Sequence, residues 1–132
     1  MAQVNLTNTP QELITGNDSI VIVENFETIR GGRSLDVTDF APNVIKAGHI
    51  IIKDTTTGEF KPMPVTSDGT EYEELPADNE YAGVLVASIL TKKPLAAIMV
   101  RGTVNPKIAP YPMDTILADF KEAMPLILFR ED

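Results

Sequence analysis

Two almost uninterrupted apolar runs, residues 81–90 and 95–104, lie close together in the second half of the chain, separated only by Thr91-Lys92-Lys93-Pro94. Neither alternates. A strand with one wet face shows apolar and polar residues in turn, so runs of this kind read as strands covered on both sides. Both are far short of the ~20 apolar residues that a bilayer-crossing helix needs. With 132 residues, 43% of them hydrophobic, the chain is expected to form one domain large enough to bury a core without staples.

The remaining segments supply partners for those strands. Residues 33–37, 47–54 and 59–65 read as strands, with Thr55-Thr56-Thr57-Gly58 as a turn between the last two. Residues 19–29 read as a long strand with Ile20, Ile22, Glu24, Phe26 and Thr28 on one face, and Gly31-Gly32 offers a tight hairpin into residues 33–37. Residues 66–79 are polar, acidic and without sustained period, an exposed loop. Pro106, Pro110 and Pro112 hold an extended connector. Asp114 is a candidate N-cap for a helix whose Ile116, Leu117, Phe120, Ala123 and Met124 share a face, and Pro125 stops it before a last short strand at 126–129. At the other end, residues 1–8 read as an arm. Thr9-Pro10-Gln11-Glu12 has the form of a capping box, followed by Leu13, Ile14 and a stop at Gly16, about one helical turn. The expectation is a β-rich α+β fold, a compact single-domain barrel or sandwich-like body with a short N-terminal helical turn and one C-terminal helix. Residues 1–17 form the arm and turn, and residues 18–132 the body, with an acidic loop at about 66–80.

Charge narrows the partners. The net charge is −8, yet residues 54–80 alone carry −7. An acidic lobe disfavours nucleic acid, whose phosphates are contacted by cations. Arg30-Gly31-Gly32-Arg33 occurs once and reads as a turn. No basic-then-apolar leader is recognised at the start, no membrane association is expected, and the absence of cysteine removes disulfides and thiolate sites.

Catalytic patterns are sparse. His49 is the sole histidine; beside a carboxylate such as Asp54 or Glu24 it would serve as a general base, but on an apolar strand it reads as structural. No Gly-x-Ser-x-Gly elbow surrounds Ser19, Ser34, Ser67 or Ser88, and no phosphate-binding Gly-x4-Gly-Lys-Ser/Thr loop occurs. The loop around Asp68, Glu71, Glu73 and Glu74 has oxygen ligands but lacks the ordered spacing of a calcium loop. The reading is therefore non-enzymatic, with no metal or cofactor.

A resemblance gives this reading a direction. "VIKAGHIIIKDTTTGEFKPMPV", then a variable acidic loop, then "EYAGVLVASI" and "AAIMVRGTVN" resemble, in that order, the small β-rich decoration proteins on the heads of tailed bacteriophages. The upstream "VIVENFETIRGGRSLDVTDF" is similar to the decoration or head-fibre proteins of phages infecting gut Bacteroidetes. The resemblance implies an auxiliary capsid protein made in the host cytoplasm. It would bind the major capsid protein on the outer surface of the virion, commonly as a homotrimer, with an arm that orders on the shell. Val4, Asn5 and Leu6 would then be capsid contacts, since an uncharged extended segment can add to a strand through main-chain hydrogen bonds. The apolar excess of residues 81–90 and 95–104 also points to self-association. The alternatives are a head-fibre base or tail or baseplate adaptor, and, in another class, a small ligand-binding barrel or hydrolase using His49.

Overall fold

The computed structural model of the chain describes residues 15–131. The proposed arm, the capping box at 9–12 and the candidate contacts Val4, Asn5 and Leu6 lie outside them. The described residues form a β-rich α+β fold with short helices: α1 (Asp18–Val21), β1 (Ile22–Thr28), β2 (Arg33–Ser34), β3 (Val44–Ile45), β4 (Ile50–Asp54), β5 (Phe60–Pro62), β6 (Asn79–Leu85), β7 (Ile89–Leu90), β8 (Leu95–Ala96), β9 (Ile98–Val104), α2 (Leu117–Ala123) and β10 (Ile127–Phe129). No helix among them is long and apolar enough to cross a membrane.

The main sheet runs β1-β9-β6-β4-β5, with β10 parallel to β9 beside its last three residues. Two small pairs, β2–β8 and β3–β7, complete the body. A bridge from Leu35 to Phe60 links the chain just after β2 to β5, and β8 leads directly into β9. The sheet thus curls around one set of buried side chains, Leu35, Ile45, Ile51, Leu85, Ala96 and Ile98. The other face carries the larger core, including Ile50, Ile52, Met63, Val84, Met99 and Val104, closed by Ile116 and Phe120 from the α2 region.

The centres of both long apolar runs are covered on both sides, as the sequence predicts, while Ala87, Leu95 and Ala97 are exposed. Consecutive residues go to opposite cores: Val84 and Met99 pair across the strands and point into the larger one, while Leu85 and Ile98 pair and point into the smaller. This cover comes from the same chain, so the runs themselves require no second copy. Neither run is one strand. The first bends after Leu85 because the Ser88 amide and hydroxyl donate to the Asp18 carboxylate (2.9 and 2.7 Å), while Ser88 Oγ accepts the Ala47 amide (3.0 Å). Residues 89–90 leave to join β3, and residues 95–96 join β2.

Other boundaries also move. Residues 18–21 are helical, so the strand read from residue 19 begins at Ile22. Gly31 and Gly32 do take positive φ (78° and 68°), but no hairpin forms: β1 lies on β9 and the chain after the turn pairs with β8. The strand read from residue 47 begins at Ile50. Lys46 to His49 form a turn, closed by His49 N–H to Lys46 O (3.1 Å), with Gly48 at φ 90° in its third position as a type II turn requires. Helix α2 begins one residue after Ile116, which stands at its N-cap without a side-chain bond, so Asp114 is not the cap.

Candidate functional site

His49 sits directly after that turn, and its placement decides what it can do. The side chain is fully buried. Three aromatic rings meet it nearly edge to face, Phe40 at 5.3 Å, Tyr72 at 5.2 Å and Tyr111 at 5.5 Å between centroids. Nε2 lies 2.9 Å from the Met63 carbonyl and donates to it, which puts the proton on that nitrogen. Nδ1 is buried without a hydrogen-bond partner among the described residues. Burial pushes the imidazole down to about 4, against a smaller opposing effect of the Met63 bond. The ring is neutral at physiological pH, sealed from solvent and without a carboxylate at hydrogen-bonding distance. It ties three segments together, and neither Asp54 nor Glu24 makes it a base.

The three rings escaped the sequence reading because they stand in otherwise polar or proline-rich segments. Their isolation was the available signal: a lone large aromatic in an acidic loop buries where it can. Tyr72 shows this most clearly. Residues 66–79 read as an exposed loop in the sequence, yet Tyr72 is 3% exposed and its hydroxyl accepts the Ile50 amide at 3.1 Å. Val65 bridges to Tyr72, and Thr66 and Thr70 donate to Asp68 Oδ1 (2.5 Å from Thr66 Oγ1, 2.8 Å from Thr70 Oγ1), closing the tip. Those bonds hold the Asp68 carboxyl below its ordinary range, the Thr66 hydroxyl foremost. Glu71, Glu73 and Glu74 do face solvent. No three carboxylates or histidines among the described residues converge to hold a metal ion.

Two open clefts flank this cluster. One, about 620 Å³, is lined by Asn17, Asp18, Lys46 and Tyr111 among others, but the Asp18 carboxylate is already committed to Ser88. The other, about 740 Å³, lies between the acidic loop and α2, with Glu71, Glu73, Glu74 and Asp119 on its walls.

Besides Leu95 and Ile108, five large hydrophobic side chains are exposed among the described residues. Ile20, Val23, Phe26, Leu126 and Leu128 are large hydrophobic side chains exposed to solvent, and all lie on α1, β1 or the β10 segment. Among the described residues β1 has only β9 beside it, and no strand of theirs covers its outer edge. No protein-family model, no curated protein and no solved structure matches this chain.

Proposed function

We propose that this protein is a non-enzymatic structural component of a tailed-phage virion that binds the outer surface of the capsid and self-associates, most simply as a trimer. The observation that carries the reading is the contrast between the sealed His49 and the open apolar surface on β1 and β10. The one residue suited to acid–base work at neutral pH is spent on holding loops together. The unspent side chains form a surface suited to another protein. The order of the "AGHIIIKD", "GVLVASI" and "AAIMVRGTVN" segments supports a head-decoration role.

The test is direct. Expanded heads lacking the protein, incubated with it and recovered by sedimentation, should take it up to saturation on their outer surface, with density visible by imaging. Heads that stay bare at concentrations well above a micromolar Kd would refute the assignment. The head-fibre and tail-adaptor readings share the same absence of chemistry and are separated by where on the virion the density lies.

A further inference from the structure

Five of the seven exposed large apolar side chains lie on α1, β1 and the β10 segment. β1 and β10 flank the same three residues of β9: Asn25 and Ile127 both register with Gly102, and Glu24 and Leu128 both register with Thr103. Two strand spacings put the backbones of β1 and β10 within ~10 Å of each other. Ile127 turns inward, so Leu126 and Leu128, one residue to either side of it, turn out, exposed to 63% and 59%. On β1 the register with β9 skips Val23 and Phe26, each an extra residue at a bulge, and Phe26 is 63% exposed. Bulges re-aim side chains and interrupt a ladder. This edge is therefore a poor template for a continuous added strand and a good site for side-chain packing.

Charge selects the occupant. The stretch that carries −7 of the net −8 begins on β4 and runs through β5 and the loop to the start of β6. Along the sheet β4 stands three strand spacings from β1, ~14 Å. Near β1 the signs are mixed instead, with Glu24 and Glu27 on the strand itself and Arg101 on β9. Arg101 registers with Glu27, and its guanidinium lies 5.6 Å from the Phe26 ring. Two anionic molecules can approach one another here with their acidic lobes held apart. A surface with both signs beside its apolar residues meets a copy of itself without like-charge contact over its whole area. We propose that the surface formed by Ile20, Val23, Phe26, Leu126 and Leu128 is where a second copy of this chain docks. This rests on the self-association in the proposed function and assigns it to a surface other than the buried strands β6 and β9.

Sedimentation of the full chain across micromolar concentrations, without heads, tests the assignment. Phe26→Glu and Leu128→Glu place a charge at the centre of the surface on residues whose side chains are solvent-exposed in the single chain; thermal melts confirm that both fold. Each should weaken self-association by about 30-fold or more, the effect of losing one central apolar anchor. Leu95→Glu is the control: Leu95 is equally exposed at 63% but lies on β8, which pairs with β2 beyond the Thr28 end of β1, and its variant should associate as the wild type does. An oligomer unaffected by Phe26→Glu and Leu128→Glu, or weakened as much by Leu95→Glu, would overturn the surface while leaving self-association standing. A wild type monomeric at every concentration would overturn both. If that monomer binds heads and Phe26→Glu does not, the shell occupies the surface and the second copy is refuted as its occupant, while the capsid-binding reading survives.

Discussion

Acidification should destabilise this protein through one residue, His49, by about 3 kcal/mol. In the unfolded chain the ring titrates near its ordinary value of 6.5, whereas in the fold burial holds it down to about 4. The unfolded state therefore binds the proton more tightly. The stabilisation is complete above the unfolded value and is lost as pH falls from 6.5 towards 4. Below that both states are protonated and nothing more is lost. The gap between those values, at ~1.4 kcal/mol for each pH unit, gives the ~3 kcal/mol. Geometry explains why the second proton is unwelcome: Nε2 already donates to Met63 O, so protonation would place a buried N–H on Nδ1 with no acceptor, inside a ring of aromatic carbons. Urea unfolding of the wild type and of His49→Gln, measured through this window, isolates the effect. Asp36, Asp54 and Asp68 are also held below their ordinary carboxyl range, so their stabilisation is present above that range and lost only in more acid solution. Their contribution is common to both proteins and cancels in the difference. The wild type should lose ~3 kcal/mol relative to the variant. Because there is one histidine, a single set of ring proton signals reports the same titration by NMR. Parallel stability curves, or a ring midpoint near 6.5, would refute the argument.

Further perturbations test the packing and the proposed attachment. Tyr72→Phe leaves the buried Ile50 amide without its acceptor and should cost ~1–3 kcal/mol in denaturant unfolding, with faster hydrogen exchange at that amide. Gly83→Ala should destabilise the fold by at least ~2 kcal/mol in a thermal melt, because φ is +155° and a Cβ would collide with the Met99 carbonyl and with Ile98. His49→Ala should lose ~2–4 kcal/mol through the cavity left among three rings, yet bind heads with unchanged affinity below its melting temperature. Loss of binding by the folded variant would mean that the cluster around His49 shapes the attachment surface. Deleting residues 2–8 should weaken head binding by orders of magnitude if Val4 and Leu6 are buried there, each worth ~1.5–3 kcal/mol, while Glu71→Gln, Glu73→Gln and Glu74→Gln together should leave it unchanged. The reverse outcome, with both proteins folded, would place the acidic loop on the shell.

Much of the fold was legible where physics is local. The Thr55–Gly58 turn joins two antiparallel strands as its composition predicts, Gly58 supplying φ 78°. On the helix face read as Ile116, Leu117, Phe120, Ala123 and Met124, Phe120 and the N-cap Ile116 are buried, while Ala123 is exposed. The double cover of Val84, Leu85, Ile98 and Met99 follows from their unbroken apolar run. What sequence did not yield was pairing over distance. Nothing in Gly31-Gly32 says that the residues after it will choose β8, because hairpin signals fix a turn and not a neighbour. Nor does an apolar run reveal that Ser88 will be caught by a carboxylate seventy positions earlier and bent out of its strand. The cluster around His49 was hidden for the same reason, since its four rings come from four separated segments.

The misreading of β1 has the most consequence for function. Strict alternation put Ile20, Ile22, Glu24, Phe26 and Thr28 on one face of one strand. A helical turn at 18–21 removes the first, and bulges at Val23 and Phe26 break the period for the rest. Each extra residue shifts the following side chains relative to β9, so a face read by counting in twos has no counterpart in the sheet. Those same two residues are among the side chains left in solvent. Leu95 apart, the large apolar side chains of the central runs, which seemed to demand a partner, are covered by the same chain. On β1 the content that does face outward, Val23 and Phe26, sits where regular strand geometry fails, and periodicity cannot find it there. If these bulges serve to present Val23 and Phe26, straightening β1 by deleting either residue should redirect the edge and abolish self-association even in a protein that still folds.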